Sequence, residues 1–149
     1  MNKLFIILLI LFSCNKKVIS TYQVDENSWS ANDSIIFDFN ISDTVSTYNL
    51  SFFIRNTLDF EYRNIFLLIN TNYNNATIKK DTVEYAITNK SGQWLGRGFG
   101  DMKDNYLIFE ENLIFNNTGQ YELSVKHGMR SEPLIGINTF GFKLNKNEN

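Results

Sequence analysis

From Ser34 onward the apolar residues recur with a period of two. Ile35, Phe37, Phe39 and Ile41 alternate with Asp38 and Asn40, and Ile36 interrupts the polar face. Alternation of this kind predicts a half-buried strand. Leu50, Phe52 and Ile54 repeat it, with Ser51 and Arg55 opposite. Residues 65–69 are continuously apolar, which predicts a strand covered on both faces. Val83, Tyr85 and Ile87 mark another strand. Residues 106–115 hold one long strand or two, with Glu110 and Glu111 at the break. Tyr121, Leu123, Val125 and His127 share a face against Glu122, Ser124 and Lys126, and Phe140, Phe142 and Leu144 close the series. Polar clusters at 42–47, 57–63, 72–80, 116–119 and 128–136 separate these runs as turns. No segment carries an apolar period near 3.6. Seven to eight short strands at turn-like spacing predict an all-β fold, an antiparallel β-sandwich that is Ig-like or jelly-roll-like. Residues 29–145 form that one domain, with Trp29 plugging its end, and 146–149 are a frayed tail.

The start of the chain follows a different rule. Residues 4–12 are apolar behind Lys3, and the run ends in Ser13 and Cys14, the only cysteine. Charge, a short apolar core and a small residue form a secretory signal. The run is too short for a transmembrane helix, which takes about 20 residues. A small residue directly before cysteine resembles a bacterial lipobox, although Phe12 is bulkier than that pattern usually shows. It implies that residues 1–13 are a lipoprotein signal peptide, cleaved before Cys14, with a thioether-linked diacylglycerol on the Cys14 sulfur. Two acyl chains hold a protein stably on a membrane, where one does not. Residues 14–28 then read as the lipidated cysteine and a polar tether. Lys16 and Lys17 either favour anionic headgroups or are merely solvated.

Charge and residue inventory remove whole classes of function. The formal net charge is −2 with no basic stripe, so nucleic acid is not expected as a partner. The single histidine, His127, falls on an apolar strand face, and the single thiol is assigned to lipid. Neither a Cys nucleophile nor a His-rich metal site is therefore available. Glu110 and Glu111 are adjacent on a strand, so their side chains diverge and cannot work as a carboxylate pair. Asp101 and Asp104 lack the loop spacing of a calcium site. The expectation is a protein that is not an enzyme and uses no metal or cofactor.

The densest local signal is the glycine-rich run at 92–101, with Gly92, Gly96, Gly98 and Gly100 among Trp94, Arg97, Phe99 and Asp101. No helix pattern follows it, so it is not a dinucleotide fingerprint. Glycines at alternate positions permit bulges and close backbone approach. Two readings stay open: a bulged strand whose aromatics enter the core, or a partner-binding surface carried by Trp94, Arg97, Phe99 and Asp101.

Several of these segments together resemble the gliding motility lipoprotein GldH family. They are the lipobox cysteine, Asn27-Ser28-Trp29, Tyr48-Asn49-Leu50, Ile54-Arg55-Asn56 and Asn64-Ile65-Phe66-Leu67, then the runs at 94–101, 121–130 and 136–142. The resemblance implies a cell-envelope lipoprotein of the gliding machinery, tied to type IX secretion of surface adhesins. Its partners would be the membrane, through the N-terminal lipid, and other gliding and secretion proteins of the envelope. Outer-membrane attachment facing the periplasm is expected, because Asn15-Lys16-Lys17 lacks the acidic residues that follow the cysteine in surface-exposed lipoproteins of such bacteria. A carbohydrate-binding lipoprotein is the alternative. It requires exposed coplanar aromatics, with Trp94 and Tyr106 as the candidates.

Overall fold

The computed structural model describes residues 17–147, so the leader and Cys14 lie outside the described residues. Ten strands form in chain order: β1 (Lys17–Gln23), β2 (Ser28–Trp29), β3 (Ile35–Ile41), β4 (Tyr48–Thr57), β5 (Asn64–Tyr73), β6 (Ala76–Ala86), β7 (Met102–Leu113), β8 (Gly119–His127), β9 (Leu134–Ile135) and β10 (Ile137–Lys146). Two four-stranded sheets pack together, β1-β10-β4-β7 and β3-β8-β5-β6, with the short β2-β9 pair at one end. All pairings are antiparallel. Numbering only the eight long strands, the sheets read 1-8-3-6 and 2-7-4-5. That is the order of a jelly roll, so of the two expected sandwiches the Ig-like one is set aside.

The period-two pattern decides what lies between the sheets. Ile35, Phe37, Phe39 and Ile41 of β3 point inward, as do Leu50, Phe52 and Ile54 of β4 and Phe140, Phe142 and Leu144 of β10. The rings of Phe37 and Phe39 meet those of Phe140 and Phe142 across the interface, and Phe52 packs against the latter two within its own sheet. Burying each such side chain contributes about 1.5–3 kcal/mol. Trp29 closes one end of this core as expected, edge-on to His127 and tilted against Phe140.

Four expectations need correction. First, the segment read as a tether contains β1, which pairs along its whole length with β10 from Lys17↔Asn145 to Gln23↔Thr139. The domain therefore reaches back at least to Lys17. Second, the tail is held rather than frayed through residue 147. Lys146 ends β10, and the Asn147 side chain donates to Thr47 at 2.9 Å and to Asn112 at 3.1 Å. Third, the apolar run in β5 is covered on one face only: Ile65, Leu67 and Ile69 are buried while Leu68 is exposed. Fourth, the polar cluster at 72–80 is the tip of the β5–β6 hairpin. Asn74 and Asn75 take φ of 51° and 63°, the left-handed pair of a two-residue turn. Residues 106–115, by contrast, fall mainly in the single strand β7. Its register slips where Glu110 stands opposite Leu50 and Ile108 opposite Ser51, a bulge at the expected break.

Candidate functional site

The glycine-rich run leaves β6 and enters β7 as a supported loop. Asn89 shapes its start: its Oδ1 accepts from the backbone N–H groups of Ser91 at 2.9 Å and Gln93 at 3.0 Å. Gly92 follows at φ 80°, a conformation open to glycine but strained for side-chain-bearing residues. A bridge between Thr88 and Trp94 then turns the Trp94 ring toward the core, where it packs half-buried. A second bridge ties Arg97 to Asp104, with reciprocal backbone hydrogen bonds of 3.0 and 2.7 Å.

Close approach explains the next two glycines. A Cβ on Gly98 would stand 2.2 Å from the Met102 carbonyl oxygen, and one on Gly96 would stand 2.7 Å from the Asn105 amide oxygen. Lys103 Nζ donates to the Gly100 carbonyl at 3.1 Å, clamping the tip. The result is a fixed apolar projection. Phe99 is fully exposed at 101%, and Leu95 is 54% exposed. Arg97 and Asp101 are exposed beside them.

Beneath the loop lies a buried amide pair. Asn105 Nδ2 donates to Asn56 Oδ1 at 2.8 Å and to the Ile54 carbonyl at 3.2 Å. Asn56 in turn donates to the Thr57 carbonyl at 2.9 Å. Beside it, Arg55 grips Asp104 through Nε at 2.7 Å and Nη2 at 2.8 Å. That bidentate bond holds the Asp104 carboxyl below its ordinary range and raises the Arg55 guanidinium. It also fixes the residue whose backbone carries the loop's second bridge.

The four residues singled out from sequence thus sit on one loop but do different work. Trp94 packs against the core, whereas Arg97, Phe99 and Asp101 are exposed. Asn56, Asn105, Arg55 and Leu95 were not among them. Ile54-Arg55-Asn56 and the run at 94–101 were among the segments carrying the family resemblance, so a signal for three of these, Arg55, Asn56 and Leu95, was present. The coplanar platform required for a sugar does not form from the proposed residues. Tyr106 is exposed, but its ring partner is Phe53, at 5.3 Å and tilted by 48°, and among the described residues no aromatic pair includes Trp94.

The remaining titratable candidate is enclosed. His127 is 2% exposed. Its Nδ1 accepts the Met129 backbone N–H at 3.3 Å, and its Nε2 lies 3.8 Å from Glu132 Oε2, beyond hydrogen-bond range. Burial pushes the imidazole below its usual value, and the Glu132 charge opposes that only in part. A depressed histidine stays neutral in the fold, while the unfolded chain takes up the proton first. Its share of stability is therefore complete above about pH 6.5 and is lost as pH falls from there toward the lowered value. Urea denaturation between pH 7.5 and 5 should show this decline in wild type and a shallower one in a folded His127→Gln variant.

The GldH lipoprotein family model matches residues 17–144. The chain is 34% identical over 98% of its length to a protein of Christiangramia forsetii called gliding motility lipoprotein GldH homolog, of which the match covers 95%. It is 30% identical over 94% of its length to the gliding motility lipoprotein GldH of Flavobacterium johnsoniae, covering 92% of that protein. The family match ends at both sides within the folded domain and spans the glycine-rich loop.

Proposed function

Because the chain belongs to the GldH lipoprotein family, we propose that it is an envelope lipoprotein of the gliding motility machinery that holds other proteins and performs no chemistry. It acts as an assembly component for the type IX delivery of surface adhesins. It hangs from the outer membrane on the lipid of Cys14 and faces the periplasm. Its partner contact is the loop from Trp94 to Asp101.

One observation carries the contact assignment: a fully exposed phenylalanine stands on a loop whose conformation is pinned from below. A flexible tip would lose ordering entropy on binding, and a preorganised one avoids that cost. Aromatic and arginine side chains are also the residues on which binding energy concentrates. The loop lies at the Met102 end of β7, opposite Thr57, whereas Lys17 lies at the other end of the same sheet. The membrane anchor therefore leaves the loop uncovered. Against catalysis stands the site chemistry: the one histidine is enclosed.

Arg97→Ala tests the assignment. Its side chain is exposed, and only its backbone joins the loop bridge. The change should alter stability by less than about 0.5 kcal/mol. Cells carrying it should glide poorly, and crosslinking of the protein to other envelope components should fall. A large drop in melting temperature would show instead that Arg97 is structural. A folded His127→Gln protein, by contrast, should restore spreading as well as wild type does. If it accumulates normally and cannot restore movement, a purely structural role is wrong.

A further inference from the structure

The outer face of the β1-β10-β4-β7 sheet is unlike that of its partner sheet. Two adjacent rows of cross-strand neighbours run across it: Thr21, Gly141, Phe53 and Tyr106, then Ile19, Lys143, Ser51 and Ile108. Tyr106 is 76% exposed, Ile108 62% and Ile19 60%. Phe53 lies between them against the Tyr106 ring, in the trough that Gly141 leaves. A Cβ on Gly141 would stand 3.2 Å from Phe53 Cβ and 3.2 Å from Thr21 Cγ2, so a side chain there would crowd that trough.

The charges of this face lean positive. Lys17, Lys143 and Arg55 stand on it against two acids of β7, Asp104, which is bound to Arg55, and the exposed Glu111. The outer face of the other sheet carries Asp38 directly opposite Glu122, and Glu84 farther along. Its exposed Ile36 and Leu68 are separated by Ser124 and Lys126. An apolar strip with an aromatic hydroxyl and flanking lysines matches a bilayer surface, where aromatic rings sit at headgroup level and basic side chains meet anionic lipid.

The position of the anchor points the same way. Only two residues separate Cys14 from Lys17, where β1 begins. Three residue steps reach at most about 11 Å. We infer that the domain lies with this face, Ile19, Phe53, Tyr106 and Ile108, against the lipid headgroups of the membrane that holds its anchor. The inference rests on Cys14 being lipidated. It gives the domain a fixed roll about the anchor, in which the acid-rich face looks away from the bilayer and the loop from Trp94 to Asp101 projects at the far end of the sheet.

The test uses the lipidated full protein in vesicles of phosphatidylethanolamine and phosphatidylglycerol. With Cys14 acylated, Ile108→Cys and Leu68→Cys each supply a single free thiol for an environment-sensitive fluorophore. At position 108 the dye should be blue-shifted, quenched by lipids spin-labelled near the headgroup, and several-fold less accessible to aqueous iodide than at position 68. Equal iodide access at both positions, in protein that floats with the vesicles, overturns the docked face and leaves lipid anchoring intact. Protein that fails to float removes the anchor and the docked face together. A dye at 108 that is shielded from iodide yet untouched by the spin-labelled lipid means that protein, a second copy or a partner, covers the face, and that also overturns the proposal.

Discussion

Cys14→Ser should move the protein from the membrane fraction to the soluble one. The effect should be close to all-or-none, because the lipid on Cys14 is the proposed attachment. Among the described residues, no helix is long and apolar enough to cross a membrane. The apolar strip on the β1 sheet is too small to substitute, since a single weak hydrophobic contact with a bilayer is reversible. Incorporation of labelled fatty acid should vanish with the same substitution, and gliding should be lost although the domain still folds. Unchanged lipid labelling in Cys14→Ser would exclude this cysteine as the acylation site.

Trp29→Ala should be the most damaging single change in the domain. Trp29 is 2% exposed, and its indole N–H donates to the Asp33 carbonyl at 3.0 Å. Its ring packs against His127 and Phe140, where the β2-β9 pair caps the sandwich. Removing a buried tryptophan costs about 3–5 kcal/mol, because the cavity collapses only in part. For a domain of this size the melting temperature should fall by roughly 10–20 °C. His127 would also gain access to solvent, so the pH dependence of stability between 7.5 and 5 should flatten. A thermal shift of only a degree or two would mean that the end of the sandwich is not sealed by this residue.

The inward-facing residues were legible because burial leaves a period-two trace. Phe37, Phe39, Phe52, Phe140 and Phe142 were all placed by that trace, and the register of every long strand they occupy follows it. β1 left no such trace. Only Val18 packs against the core, and the rest of the strand is held by hydrogen bonds to β10, to which side-chain hydropathy is blind. The first half of β6 was missed for the same reason: residues 76–80 are exposed along an edge and paired only through the backbone. In the glycine-rich loop, the spacing of Gly96 and Gly98 signalled close approach correctly. Which aromatic turned inward was not legible, because the Thr88–Trp94 bridge decides it, and that pairing depends on the tertiary path of the chain. Asn105 falls just outside the strand expected at 106–115. Its role under the loop appears once β4 brings Asn56 beside it.

The central claim is that the loop from Trp94 to Asp101 holds another protein of the gliding machinery. A photoreactive amino acid at position 99, in a strain that lacks the chromosomal copy and is complemented by this variant, tests it most directly. Illumination of gliding cells should yield discrete crosslinked species that contain components of the gliding or secretion apparatus. The same probe at Leu68, on the acid-rich face, should yield far less of them. If position 99 gives no such crosslinks while the variant still restores gliding, the loop is not the contact surface and the account of this protein as a holder acting through it fails.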